Sequence, residues 1–204
     1  MARTLLEISR ELAAISQAGL AYSRDFHDRE RFEQLRGLAS ELVQALPGKA
    51  DFAWPSGEGY PTPKVDVRAL VIRGGEILLV RERATGRWSA PGGWADVNLT
   101  PAENARKECR EEAGIEIEVE QLSAVLDRDR AGHLPIAWSV YKLYFLCHPL
   151  DDTPVAAGPE VLDARYFRRE ALPDDLDLER ITAEEIERGF RLREEGSIPT
   201  FFQS

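Results

Sequence analysis

Histidine and cysteine are scarce in this chain, three and two residues among 204. His27, His133 and His148 show no metal-ligand spacing, so no histidine-built metal centre is expected. Cys109 and Cys147 fall in an apolar helix position and an expected strand, and read as buried free thiols rather than a staple. No run approaches the roughly 18 apolar residues that cross a bilayer. The N-terminal stretch MARTLLEISRELAAISQAGL is interrupted by Glu7 and Glu11, which argues against a secretory leader. A cytoplasmic protein without a membrane partner is the expectation. Basic residues are also in deficit, 26 Lys and Arg against 36 Asp and Glu, for a net charge of −10. That balance speaks against nucleic acid as a partner. It leaves room for a small phosphorylated ligand, because a metal ion can supply positive charge locally. Neither an internal repeat nor a low-complexity tract is present.

What is present is a globular composition, 43% hydrophobic and 30% charged, with one stretch of unusual pattern. Residues 91–115 read PGGWADVNLTPAENARKECREEAGI. Thr100, Pro101 and Glu103 form a helix-start signal, with Thr100 as cap, Pro101 at the first helical position and Glu103 closing a capping box. Gly114 is the matching stop. At about 100° per residue, Glu108, Glu111 and Glu112 share an arc of about 100°. Glu103 to Lys107 and Lys107 to Glu111 are favourable i,i+4 pairs, but Glu108 to Glu112 is a like-charge pair that a cation would neutralise. Mg²⁺ takes one or two carboxylates and keeps its other positions for waters or phosphate oxygens. Seen alone, such a cluster is more often an acidic, solvated helix face; the Gly-Gly turn and the capped loop before it shift that balance.

The stretch resembles the box of the Nudix family, G-x(5)-E-x(7)-R-E-U-x-E-E-x-G-U, where U is a bulky apolar residue. Gly93 fits the first glycine; Glu108, Cys109, Glu111, Glu112, Gly114 and Ile115 fit the tail. Leu99 stands in place of the first box glutamate, Lys107 in place of the arginine, and Asn98 at a spot that is often glycine. The resemblance implies hydrolysis of a nucleoside diphosphate linked to another moiety, with Mg²⁺ (or Mn²⁺) as cofactor. It implies Glu108 and Glu112 as direct ligands and a backbone carbonyl at the Gly-Gly turn, Gly92, as a further one. Glu111 is left for another metal or for a base role. Leu99 cannot act as base, and a lysine lacks the planar fork of arginine.

Glu160, in GPEVLDARYF, is a candidate for the missing acid, because many members place one in the loop after the sheet; otherwise it is a solvent-facing loop residue. Arg81 lies at the end of the strand ILLVRE, next to Glu82, where the family often contacts phosphate or metal; it reads equally as a surface charge. Arg128, Arg130 and His133 share one loop, where they would bind phosphate or pair with Asp127 and Asp129.

Residues 1–48 read as two helices. Leu5, Ile8, Leu12 and Ile15 make one apolar stripe, broken at Gly19; Phe32, Leu35, Leu38, Leu42 and Leu46 make another, with Asp28 as cap and Pro47-Gly48 as stop. Two such helices cannot bury both stripes on each other alone, so a homodimer is expected. A DNA-binding helix-turn-helix is disfavoured, since residues 1–50 hold seven basic and seven acidic residues. Residues 49–63 read as a linker, and residues 64–204 as a domain with strands at Val65–Ile72, Ile77–Arg81, residues 115–122, Ile136–Cys147 and Ala164–Phe167. A helix from the Thr182 capping box to about Glu195 closes it. The expected fold is an α/β/α sandwich with a mixed sheet, preceded by a two-helix domain.

The helical segment, TPKVDVRALVI and the box together resemble the branch that contains CDP-choline pyrophosphatases. In that reading Tyr22 and Phe26 stack on a base with Asp25 nearby, or else anchor the helical domain. CDP-choline is the expected substrate, giving CMP and phosphocholine. ADP-ribose or a nucleotide sugar is the alternative within the class, and a catalytically silent nucleotide-binding sensor is the alternative outside it.

Overall fold

Alternation along one strand sets the layers of the larger part of the chain. In β1 (Lys64–Arg73), Val67, Ala69 and Val71 enter one hydrophobic cluster and Leu70 and Ile72 another, so both faces of the strand are buried. The structure is a computed structural model that describes residues 3–55, 57, 59–151, 153–196 and 198–203; Ser56, Glu58 and Asp152 of the expected loops lie outside the described residues. It divides into two compact units, Met1–Pro63 with Ile136–Ser139, and Lys64–Pro135 with Val140–Ser204.

In the first unit, α1 (Leu5–Tyr22) starts at a Thr4–Glu7 capping box and α2 (Phe26–Gln44) at Asp25, whose carboxylate accepts the Asp28 N–H. The expected break at Gly19 and the expected cap at Asp28 are therefore both displaced. Gly19 lies within α1, and a Cβ there would stand 2.4 Å from the Phe32 ring, so the glycine lets α2 approach. The contact face is made of small residues rather than the expected stripe. Ser9, Ala13 and Ser16 are buried, with Ser9 Oγ donating to Ala39 O and Ser16 Oγ to Phe32 O, both at 2.6 Å. Leu5, Ile15 and Leu38 remain about half exposed. Trp54 is anchored by its indole N–H on Ser9 Oγ (2.9 Å) and its backbone N–H on Ser40 Oγ (3.0 Å).

The strand expected from Ile136 begins instead at Val140, as β6 (Val140–Pro149). The reason is local to the first unit: the Arg10 guanidinium donates to Ala137 O (2.9 Å) and Ile136 O, and Trp138 packs edge-on against Trp54.

The second unit holds an eight-stranded mixed sheet. Its main order is β3 (Trp88–Ser89), β2 (Glu76–Glu82), β1, β6, β5 (Ile117–Asp127) and β8 (Phe201–Phe202). In addition β4 (Gly92–Trp94) pairs with β1, and β7 (Val161–Arg168) with β2. β1 runs parallel to β6, from Lys64 opposite Val140 to Val71 opposite Cys147. α3 (Pro101–Ala113) lays Ala105, Cys109 and Ala113 on one face; α4 (Ala183–Glu195) lays Ile186 and Phe190 on the other. The result is the expected sandwich. Full burial of such apolar side chains contributes roughly 1.5–3 kcal/mol each for the larger ones.

Candidate active site

The site is built where β4 meets α3. α3 begins and ends as its sequence dictates, with the Thr100–Glu103 box at one end and Gly114 at φ 63° at the other. Gly92 occupies φ 147°, and a Cβ there would stand 2.0 Å from Val67 O. Only glycine lets the turn lie this close to β1. The Gly92 N–H donates to Glu112 Oε2 at 2.9 Å. At Gly93 a Cβ would come within 3.5 Å of the Glu108 carboxylate, so Glu108 too lies against the turn.

Burial and like charge make both acids reluctant anions. Burial raises the Glu112 carboxyl to about 7, with Glu82 and Glu108 adding to the rise and Arg68 and the Gly92 N–H opposing it. Glu108 is raised by burial first, then by Glu111 and Asp96, against Lys107 and Arg68. Glu111 is half exposed and bound by Lys107. Lys107 Nζ lies 2.8 Å from Glu111, 3.1 Å from Asp96 and 3.7 Å from Glu108, and the Glu111 and Asp96 bonds raise its pKa.

A buried charge cluster backs the turn. The Arg68 guanidinium takes both oxygens of Asp66 at 2.9 Å, and Nη1 donates to Ala90 O (3.1 Å) and Ser89 Oγ (3.3 Å). Lys142 Nζ donates to Asp66 Oδ1 at 2.9 Å. Burial alone would raise the Asp66 carboxyl, but Arg68 and Lys142 outweigh it and hold it at about 2. Ser89 Oγ donates in turn to Glu82, which also meets Arg180 at 3.2 Å.

The far wall is the loop before β7. Val155 N–H donates to Ala113 O (3.0 Å) and Ala157 N–H to Glu112 O (3.1 Å), so the loop satisfies carbonyls at the end of α3. Arg83 holds it from the other side, through its N–H on Glu160 O and its Nε on Pro159 O, both at 2.7 Å. Glu160 thereby lines the same cavity, about 590 Å³, as Lys107, Glu108, Glu111 and Glu112.

Other expected site residues are engaged elsewhere. Arg81 Nε donates to Gly86 O at 2.7 Å, closing the turn after β2. Arg128 is buried, with Nη2 on Glu179 O at 3.0 Å and Nη1 3.8 Å from Asp129, the pairing offered above as the alternative to phosphate binding. His133 pairs with neither Asp127 nor Asp129; it lies buried between Glu185 (2.7 Å) and Leu178 O (3.0 Å). Tyr22 and Phe26 are exposed in the helical unit, where Asp25 is the α2 cap. Asp96, Asp66, Arg68 and Lys142 were not expected from the sequence. The alternation DVR inside an apolar strand was the available signal for two of them, since residues two apart share a face.

The model for the NUDIX domain matches residues 62–188, more than half of the chain. The chain belongs to the Nudix hydrolase family. The model for a UDP-X-like, N-terminal oligomerisation domain matches residues 3–50 of this Nudix protein. Its relatives include YjhB of Bacillus subtilis (strain 168), provisionally named an ADP-ribose pyrophosphatase, 41% identical over 172 residues and 82% of each chain. A solved UDP-X diphosphatase matches 98% of each chain at 34% identity and TM-score 0.63. A solved ADP-ribose pyrophosphatase of Streptococcus suis 89-1591 is 33% identical over 70% of this chain and all of that one, also at TM-score 0.63. This Nudix hydrolase is thus an enzyme of the pyrophosphatase class.

Family members generally use divalent cations, and the residues present fit one. Among the described residues no three His, Cys, Asp or Glu side chains are assembled to hold an ion by themselves. Mg²⁺ asks for less, one or two carboxylates with waters and phosphate oxygens completing its shell. Glu108 and Glu112, one helical turn apart and both destabilised as anions, meet that demand.

Proposed function

We propose that this Nudix hydrolase cleaves the pyrophosphate bridge of a nucleoside diphosphate linked to X, with Mg²⁺ as cofactor and Mn²⁺ as substitute. The reading is carried by one observation: Glu112, pinned to the Gly92 N–H, shares a cavity with Glu108, Glu111 and Glu160. Glu108 and Glu112 would hold the cation, with the Gly92 carbonyl beside them. When bound, the cation supplies a Lewis acid that polarises phosphoryl oxygens and makes water a better nucleophile. Glu160 would take the proton of the attacking water, since Leu99 has no titratable group. Glu111 lines the rim with Lys107. Water adds to one phosphorus, the bond from it to the bridging oxygen breaks, and a nucleoside monophosphate leaves with a phosphorylated X.

Within the class, the branch resemblance favours CDP-choline, and the names of the relatives favour ADP-ribose and UDP-X compounds. The exposed Tyr22 and Phe26 fit either base stacking or assembly. The half-exposed Leu5, Ile15 and Leu38 support a homodimer through α1 and α2, in line with the description of the matching N-terminal model. No described helix is long and apolar enough to cross a membrane, and the buried free thiols Cys109 and Cys147 suit the cytoplasm.

A panel of CDP-choline, ADP-ribose, UDP-sugars and dinucleoside polyphosphates, assayed with Mg²⁺, Mn²⁺ and chelator, tests this reading. Cation-dependent release of a nucleoside monophosphate from a diphosphate-X member is expected. Turnover that survives chelation, or none across the panel, overturns it.

A further inference from the structure

Lys107 sits beside a proposed ligand and would be expected to compete for it. An ammonium bonded directly to Glu108 would neutralise the carboxylate that a cation needs. The geometry avoids this. Lys107 Nζ is within hydrogen-bonding distance of Glu111 (2.8 Å) and Asp96 (3.1 Å), whereas Glu108 stands at 3.7 Å, an ion pair without a hydrogen bond. A lysine suits the arrangement better than an arginine, because its compact charge can rest between two carboxylates without a planar fork to satisfy.

Asp96 is not there by accident of a loose surface. Its N–H donates to Asn104 Oδ1 at 2.8 Å, and the buried Asn104 amide donates to Thr100 O at 3.1 Å. Asn98 takes φ 66°, the left-handed region that Asn tolerates, and turns the chain between β4 and α3. In the segment 95–99 Asp96 is the sole acid, and Leu99 stands exposed where the family box has its first glutamate.

We propose that Asp96 and Glu111 form a cradle that holds the Lys107 ammonium off Glu108 and so keeps Glu108 available to a divalent cation. Asp96 is a positioning residue that acts through Lys107. This rests on Glu108 and Glu112 being the cation ligands. Without Asp96, the ammonium redistributes between Glu111 and Glu108, and the cation has to displace it.

The test is Mn²⁺ binding to the substrate-free protein, by electron paramagnetic resonance or calorimetry, in a double-mutant cycle of Asp96→Asn and Lys107→Met. Asp96→Asn alone is expected to weaken binding by roughly two- to fivefold, the scale of a partly exposed ion pair. In the Lys107→Met background the same change is expected to do little, because no ammonium remains to be redirected. Asp96→Glu should retain wild-type binding. An Asp96→Asn effect of the same factor in both backgrounds overturns the cradle, since it would then be a simple charge effect. So does wild-type binding by Asp96→Asn. Glu112→Gln serves as the separate control: unaltered Mn²⁺ binding there removes the ligand assignment itself.

Discussion

The Gly92 backbone N–H and the Glu112 carboxylate meet at 2.9 Å, joining the turn before α3 to its last turn. Because the acceptor oxygen survives in an amide, Glu112→Gln is expected to keep the fold. It should nonetheless lower Mg²⁺-dependent turnover by at least about 100-fold, the upper scale for losing a mere outer-shell partner of a metal. Steady-state kinetics beside a thermal melt check this; near-wild-type turnover would remove Glu112 from the site.

Gly92→Ala should act through the backbone instead. A Cβ 2.0 Å from Val67 O cannot be accommodated without moving β4 off β1. A loss on the order of 3 kcal/mol in a denaturant titration is expected, with cation binding lost alongside.

Glu160→Gln is expected to slow kcat by about 10²- to 10⁴-fold, as removal of a general base does. Substrate-free Mn²⁺ affinity should stay close to wild type. A drop in affinity comparable to that of Glu112→Gln would make Glu160 a ligand instead.

The buried Asp66 gives the protein an acid-sensitive core. Its carboxyl is held at about 2, below the usual 3.8, so its contribution is complete above pH 3.8 and is lost as pH falls toward 2. That contribution is on the order of 2 kcal/mol. Lys142 acts at the other end. Burial lowers its ammonium to about 8, so the cost of burying that charge is relieved, and stability rises, from pH 8 toward 10.5. Urea midpoints across pH, for wild type and Lys142→Met, check both; the variant should lose the alkaline rise.

Gly19→Ala should separate the helical pair. The added methyl would meet the Phe32 ring at 2.4 Å, and overpacking of this kind costs about 1–3 kcal/mol. Sedimentation of wild type and variant reads whether assembly depends on this contact.

How much of this was legible in the sequence depended on how local each signal is. Thr100, Pro101, Glu103 and Gly114 fix α3 through neighbours a turn away, so its ends and the placement of Glu108, Glu111 and Glu112 on it could be read directly. Gly19 misled because its reason lies in Phe32, on another helix. β6 starts late because Arg10 and Trp54 engage the residues before it, and no local pattern announces that. β8 is two residues long and exists through a parallel pairing with β5, again a distant partner. Asp96 meets Lys107 from the loop before α3, in which Asn98 is left-handed, while Leu99, the position to which the family pattern points, is apolar. The acids that the helix presents, with Lys107 among them, were visible; Asp96 and Arg68, which also bear on their charge, were not.

The assignment of Ile136–Ser139 to the helical unit has a consequence for anyone dividing the gene. A catalytic fragment beginning at Lys64 still carries four residues whose packing partners have been deleted, and it would present Trp138 as a new sticky surface. A helical fragment ending at Pro63 would lose the carbonyls that Arg10 engages. A transplant of the helices is therefore expected to need residues 136–139 alongside them.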